Sequence, residues 1–418
     1  MALNQNLSAI ICADWGKERG KRAVYVADVA ARTIRRLHGN DWSFSAVLQA
    51  ACPWTDRGAV LVTFDAPLGV PGSYMEAASK SLLWNGPRTF PELVRCVWSD
   101  PGYFDMTVTA QDWTVERPFF AVPSGVGGLT AFSTAAAHFG IDLFRVVDRQ
   151  TKAKTVFAKS GIPGSVGSAA CALWKEIGRN LTSNRTFRIW PFDGTLEALI
   201  IMGRVIIGEI YPRAAYATAL LDVPAVVRPP LAVAKTNAAV RGAAIQKLLR
   251  TDWVKTQSVV LRDLDAALHN EDDFDACFTA AALLRSVLEG KPLARLVSPS
   301  HPAEGGMIGT AEINLSLSEK TFRQELQLEK TVDLSILQSR GDREVRYERR
   351  PELYRQTDES RHFQCPIAGC EKVFHGSRGG WDGHVSSHRI HPEWCPQLRS
   401  EEERRRQFRL HFPNFFED

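Results

Sequence analysis

Between Asn270 and Cys277 the chain reads Asn-Glu-Asp-Asp-Phe-Asp-Ala-Cys, an acidic run that opens an apolar stretch. On a helix Asp272 and Asp275, three apart, share one face and can hold one cation between them. Two further aspartates close apolar runs: Asp14 follows Ser8-Ala9-Ile10-Ile11-Cys12-Ala13, and Asp65 follows Val60-Leu61-Val62-Thr63-Phe64. Carboxylate oxygens suit the hard cations Mg2+ and Mn2+. Two such ions, roughly 3.5–4 Å apart, assist phosphodiester cleavage by stabilising the attacking and the leaving oxygen. The four aspartates therefore predict a two-ion carboxylate site. A plainer reading of the same residues is that Asp272 and Asp273 cap a helix while Asp14 and Asp65 are strand-end turn residues.

A second, different donor set lies near the other end of the sequence. Cys365 and Cys370 stand on a short segment bracketed by Phe363 and Phe374, and His384 and His388 follow one helical turn apart. Two thiolates and two imidazoles so spaced complete a closed tetrahedral Zn2+ site. The pattern is similar to a ββα Cys-Cys-His-His zinc finger, with two departures. Thirteen residues separate Cys370 from His384, and Trp381 stands where a core leucine is usual, inside a glycine-rich Gly376–Gly383 segment that is a poor helix former. His375 and His391 are nearby substitute ligands.

The elements that must position the aspartates are legible in outline. Residues 8–14 and 22–29 read as strands around the Gly16–Gly20 turn, and 31–37 extends the meander. Residues 43–51 have helical spacing, and 59–65 form a short apolar strand broken by Pro67-Leu68-Gly69. This sets Asp65 at a strand's carboxyl end, where open α/β sheets bind their ligands. The Trp-, Phe-, Pro- and Gly-rich middle, about 74–190, reads as a large insertion with helices near 129–138 and 168–177. Order returns with 196–202, 204–210, a helix over 237–249 and a helix from the acidic run to Gly290. The expected organisation is 1–315 as the carboxylate domain, 316–360 as a charged connector, 361–392 as the finger and 393–418 as a tail.

With 418 residues, 44% of them hydrophobic, the chain can bury a full core and exceeds one typical domain. A formal net charge of +4 permits a polyanionic partner without demanding one. No apolar run is long enough to cross a bilayer, and Met1–Asn6 lacks the features of a signal peptide, so a cytoplasmic protein without a membrane partner is expected. Cys12, Cys52, Cys96, Cys171, Cys277 and Cys395 lack motif spacing and read as small core residues.

At its acidic residues the chain resembles the ribonuclease H-like superfamily of nucleases. It is closest to a family of uncharacterised predicted nucleases with an early strand ending in Asp, an Asp-x-Pro-Leu-Gly segment, a Glu-x-Tyr-Pro segment and an Asp-Asp-x-x-Asp-Ala helix. Here those are Asp14, Asp65 to Gly69, Glu209 to Pro212 and Asp272 to Ala276, spanning about 8–290. The resemblance implies an α/β fold, a mixed sheet flanked by helices. It also implies Asp14, Asp65, Asp272 and Asp275 as ligands of two Mg2+ or Mn2+ ions, with Glu209 an additional acid at the site that orients a ligand or water. The implied activity is hydrolysis of DNA or RNA, assisted by the finger, which offers its surface to nucleic acid or to a protein partner.

Ser165 within the Gly161–Ser168 loop, Lys159 just before it, and Lys235 and Arg241, before and within a helix, are candidate phosphate contacts. Two other readings use the same residues: a non-catalytic nucleic-acid or protein adaptor, and an actin-like phosphotransferase holding a nucleotide on the 164–168 loop. The finger makes the first testable expectation. Metal analysis of the intact protein should find about one zinc per chain, and Cys365→Ser or His388→Ala should remove it, because so small a module has too little core to fold without metal. Intact protein free of zinc contradicts the module.

Overall fold

The computed structural model describes residues 6–39, 41–122, 128–160, 165–183, 186–294 and 301–328, and the short strands 362–364 and 373–375. The chain divides into two compact units, Met1–Lys330 and Thr331–Asp418.

The first unit is built on one mixed sheet. A meander comes first: β1 (Leu7–Asp14), β2 (Ala23–Asp28) and β3 (Thr33–Arg36), paired antiparallel. After helix α1 (Phe44–Thr55), β4 (Ala59–Phe64) returns parallel to β1 on its other edge. Short β5 (Phe187–Ile189) and then β6 (Val205–Ile210) follow, with β6 parallel to both β4 and β5. Two further short strands complete the sheet: β7 (Val260–Leu261) beside β3, and β8 (Met307–Ile308) beside the second half of β6. Across the sheet the order is β7-β3-β2-β1-β4-β6-β8.

β1 and β4 are buried along almost their whole length, which explains why they read as continuous apolar runs rather than alternating ones. One face carries Ala9, Ile11, Ala13, Val24, Val26, Val60, Val62, Phe64, Val205 and Ile207, and these join the main hydrophobic core. The other carries Ile10, Cys12, Tyr25, Leu61 and Ile206, also buried. Against that second face packs α6 (Glu271–Leu288), the helix of the acidic run. Before it in the chain come α3 (Pro212–Leu220), α4 (Ala238–Arg250) and α5 (Leu264–His269); α3 and α5 pack on it, and α4 packs on both of them.

The insertion between β4 and β5 contains α2 (Gly167–Ser183) and a helix at Gly128–Ala137, near the expected positions. It is held by aromatic side chains. Phe119 makes edge-on contacts with Tyr103, Phe157 and Trp174, and Phe90 packs on Trp174 and Phe192. Ring packing of this kind has no fixed sequence period, so the segment gave little periodic signal.

One expectation changes. The first unit extends beyond 315: Asn314 donates to the Arg228 carbonyl (2.8 Å) and Lys320–Thr321 pairs with Leu231–Ala232, so the start of the expected connector is part of the fold. Residues 196–199 form one short helical turn capped by Thr195. In the second unit His362–Gln364 pairs antiparallel with Val373–His375, Phe363 opposite Phe374. The four expected zinc ligands, and the rest of 361–392 and the tail, lie outside the described residues.

The Asp65-Ala-Pro-Leu-Gly turn is locked from behind. Val70 donates to the Ala303 carbonyl (2.9 Å), and Trp174 donates from its indole to the Pro67 carbonyl (2.8 Å). Gly69 has φ +147°, and a Cβ there would lie 2.2 Å from the Glu304 carbonyl oxygen. Only glycine meets both conditions. Gly69→Ala should therefore lower stability by on the order of 2 kcal/mol or more, read as a fall in the thermal midpoint; an unchanged midpoint contradicts this account of the turn.

Candidate metal centre

β1 and β4 run parallel with Ala13 opposite Phe64, and Asp65 donates its N–H to the Ala13 carbonyl (3.0 Å). Asp14 and Asp65 thus sit side by side at the carboxyl ends of adjacent strands, on the face turned to α6. The alternation of the strand decides that face: Ala13 and Phe64 enter the main core, so their neighbours point the other way.

α6 brings the second pair. Asn270 caps it, its side-chain oxygen accepting from Asp272 N (2.7 Å) and Asp273 N (3.2 Å). The cap is therefore Asn270, and the aspartates are released for other work. Asp273 turns away and takes a two-pronged bond from Arg36 on β3 (2.5 and 3.2 Å), which fastens the helix to the meander. Asp275, one face round, is buried; Tyr216 of α3 donates to its Oδ1 and Lys235 to its Oδ2. Asp272 is partly exposed in the first turn.

These carboxylates share one electrostatic environment. Burial pushes Asp14 well above the usual carboxylate range, and the negative charges of Asp275 and Asp65 push it further. Burial, and then Asp275, raise Asp65 to about 7. Asp272 and Asp275 are raised by burial as well, with Lys235 opposing. For Lys235 burial disfavours the ammonium, but Asp275, Asp14 and Asp65 outweigh it and keep it charged.

Glu209 lies elsewhere. Opposite Phe64 in the ladder, it projects to the core face, away from Asp65. There it pairs with buried Arg145 through both oxygens (2.6 and 2.7 Å), and Arg145 also binds Asp148 (2.7 Å). Glu209 additionally accepts the Leu68 N–H (2.8 Å). Its oxygens are thus engaged by Arg145 and by the turn after Asp65, and it acts as a positioning residue for that turn rather than as a member of the aspartate cluster. The Glu-Ile-Tyr-Pro segment continues the work: Tyr211 donates to the Thr151 carbonyl (2.7 Å).

Of the expected phosphate contacts, Lys235 alone enters the acid cluster. Arg241 is buried and braces it, donating to the Lys235 carbonyl and to the Leu268 carbonyl (2.7 Å). Lys159 and Ser165 belong to the insertion; Lys159 donates to the Phe104 carbonyl (2.8 Å). Tyr216, Arg145 and Arg36 were not foreseen. Tyr216 left a trace, as the one large side chain in Ala214-Ala215-Tyr216-Ala217-Thr218-Ala219, whereas nothing local marks the two arginines.

The donor set is all oxygen, as Mg2+ and Mn2+ prefer. Yet among the described residues no three acid, imidazole or thiolate groups are gathered closely enough to hold a metal ion as the side chains stand. Mg2+ commonly takes only one or two carboxylates and fills its octahedron with waters and substrate phosphate, so Asp14 and Asp65 suit one such ion. At Asp275 each oxygen already accepts one hydrogen bond, from Tyr216 and from Lys235, which leaves fewer lone pairs there for an ion. No family model, no curated protein and no solved structure matches this chain. Among the described residues no helix is long and apolar enough to cross a membrane.

A raised carboxyl binds its proton more tightly in the folded state than in the unfolded one, where Asp titrates near 4. The Asp65 contribution to the stability of the metal-free protein should therefore fall as pH rises from about 4 to about 7 and level off above, and the raised carboxyl of Asp14 adds to the fall. The Lys235 contribution is constant over this window, since an unfolded lysine titrates near 10.4. Thermal midpoints measured from pH 5 to 8 without Mg2+ or Mn2+ should decline, and Asp65→Asn should flatten the slope; an equal slope in the variant contradicts the assignment.

Proposed function

We propose that the first unit is a ribonuclease H-like, metal-dependent nuclease that hydrolyses nucleic-acid phosphodiesters, with the second unit's zinc finger assisting recognition of nucleic acid or of a protein partner. One observation carries the reading. Asp14 and Asp65 end adjacent parallel strands and meet Asp272 and Asp275 from a capped helix, in a sheet whose order of meander, then β4, then β6, suits the resemblance drawn from the sequence.

Asp14 and Asp65 would hold the ion, with Asp275 the carboxylate of α6 that acts on both most strongly and Asp272 in the first turn of the same helix. A hard divalent ion supplies charge stabilisation to the phosphoryl group under attack. The protein's own part is to keep the aspartates in place: Glu209 and Gly69 set the turn that carries Asp65, and Arg36 and Asn270 set the helix that carries Asp272 and Asp275. Asp65, held near neutrality in its pKa without metal, becomes fully ionised once a cation faces it. Zn2+ on Cys365, Cys370, His384 and His388 would be structural and chemically separate, because thiolate and imidazole select a softer ion than carboxylate does.

Cleavage of labelled single-stranded, duplex and branched DNA and RNA in Mg2+ or Mn2+ tests the proposal. Asp14→Asn and Asp65→Asn should each lose about a hundredfold or more in rate, since an ion's transition-state stabilisation is worth several kcal/mol. Their thermal midpoints should hold or rise, because like charges are removed from a buried cluster. Asp273→Asn is the contrasting case: it should cost about 1–3 kcal/mol of stability through the loss of the Arg36 pair, yet cleave at temperatures where it stays folded. Full activity in both Asp14→Asn and Asp65→Asn refutes the site, and ATP turnover without strand cleavage would favour a phosphotransferase.

A further inference from the structure

We propose that the ammonium group of Lys235 is a resident cation of the carboxylate centre and stands in place of one of the two divalent ions, so that the centre takes a single Mg2+ or Mn2+ per chain. The inference rests on the metal-dependent reading above.

Three features of Lys235 support it. First, its ammonium is ion-paired with Asp275, whose other oxygen accepts from the Tyr216 hydroxyl, so both sides of that carboxylate are committed. Second, the Asp275 side chain is 2% exposed whereas that of Lys235 is 33% exposed, so the lysine is the member of the pair nearer to solvent. An ion approaching Asp275 from water meets the lysine first.

Third, Lys235 is fixed by its backbone, unlike an ordinary surface lysine. Its N–H donates to the Val233 carbonyl (2.8 Å), and its carbonyl accepts from buried Arg241. Arg241 is itself tied to the Leu268 carbonyl (2.7 Å), just ahead of the acidic helix. Asn237 then starts α4, its N–H donating to the Ala234 carbonyl (3.0 Å) while its side chain accepts from Val240 N (3.1 Å). The lysine is thus held over the end of α6 from both directions along the chain.

Coulomb's law sets the consequence. A divalent ion beside a fixed ammonium meets twice the repulsion of a monovalent ion at the same separation, and low dielectric enlarges it. That repulsion falls most heavily on a metal at Asp275 and least on one held by Asp14 and Asp65 at the strand ends. Positive charge at the second position is supplied by the protein, permanently and without regard to metal supply.

The test counts ions. Full-length, zinc-replete protein, dialysed free of Mg2+ and Mn2+, is titrated with Mn2+ while the free ion is followed by electron paramagnetic resonance; the finger's sulfur and nitrogen ligands do not compete for Mn2+. The expected result is one Mn2+ per chain for the wild type and for Lys235→Arg, which keeps the charge, and two for Lys235→Met, which removes it. Two Mn2+ in the wild type overturns the inference and leaves the nuclease reading intact. One Mn2+ in a folded Lys235→Met also overturns it. No Mn2+ bound by the wild type removes the metal-dependent reading itself. Asp14→Asn should lose the single ion, which identifies the carboxylates that hold it.

Discussion

Like charges gathered where water is scarce repel one another, and the architecture around the acidic site is organised by that repulsion. Asp14 and Asp65 are forced together by the parallel pairing of β1 and β4, and α6 adds Asp272 and Asp275 to the same edge. Three devices compensate. Lys235 and Tyr216 occupy Asp275, the start of a capped helix offers its positive dipole to the acids of its first turn, and the strand-end carboxyls meet the remaining strain by rising in pKa. Apolar residues of similar volume at these positions would be no less stable, so burial of the acids is not what stabilises this edge.

The opposite face of the sheet handles charge differently. Glu209, Arg145 and Asp148 form a buried network in which each carboxylate is met by guanidinium nitrogens, and Glu304 adds acceptors for the N–H groups of Gly72 and Val146. The network is closed by hydrogen bonds and does structural work: it ties the insertion, through Arg145 and Val146, to β6 and to the turn behind Asp65. The two faces are linked by a single residue step. Phe64 and Glu209 face the core, and Asp65, one residue on, faces the acid site, so the network on one face holds steady the carboxylate on the other.

Much of this was legible in the sequence because it follows the periods of single elements. The strands ending in Asp14 and Asp65 were readable from their apolar runs, and the i, i+3 relation of Asp272 and Asp275 from the helix itself. Tertiary pairing was not readable. That Glu209 projects away from the aspartates depends on its register against Phe64; that Asp273 leaves the site depends on Arg36, 237 positions away in the chain. Lys235 looked like one basic surface residue among several, and only the packing of α4 against α3 and α5 brings it onto Asp275. The aromatic insertion hid its helices' boundaries for a related reason, since ring contacts such as Phe119 on Trp174 join residues at no regular spacing.

The division between the two aspartate pairs has a physical sense. A strand end offers no dipole of note, so Asp14 and Asp65 have only each other and the nearby lysine, and a metal ion is the group that would relieve them most. A helix start carries about half a positive charge, and a lysine on Asp275 adds a whole one. Asp275 is thus met by direct contact with the lysine, Asp14 and Asp65 only at longer range, and a divalent cation entering this edge would gain more at Asp14 and Asp65 than at Asp275. The same asymmetry gives the edge a direction: the lysine fixes positive charge on the α6 side, across from the raised carboxyls at the strand ends.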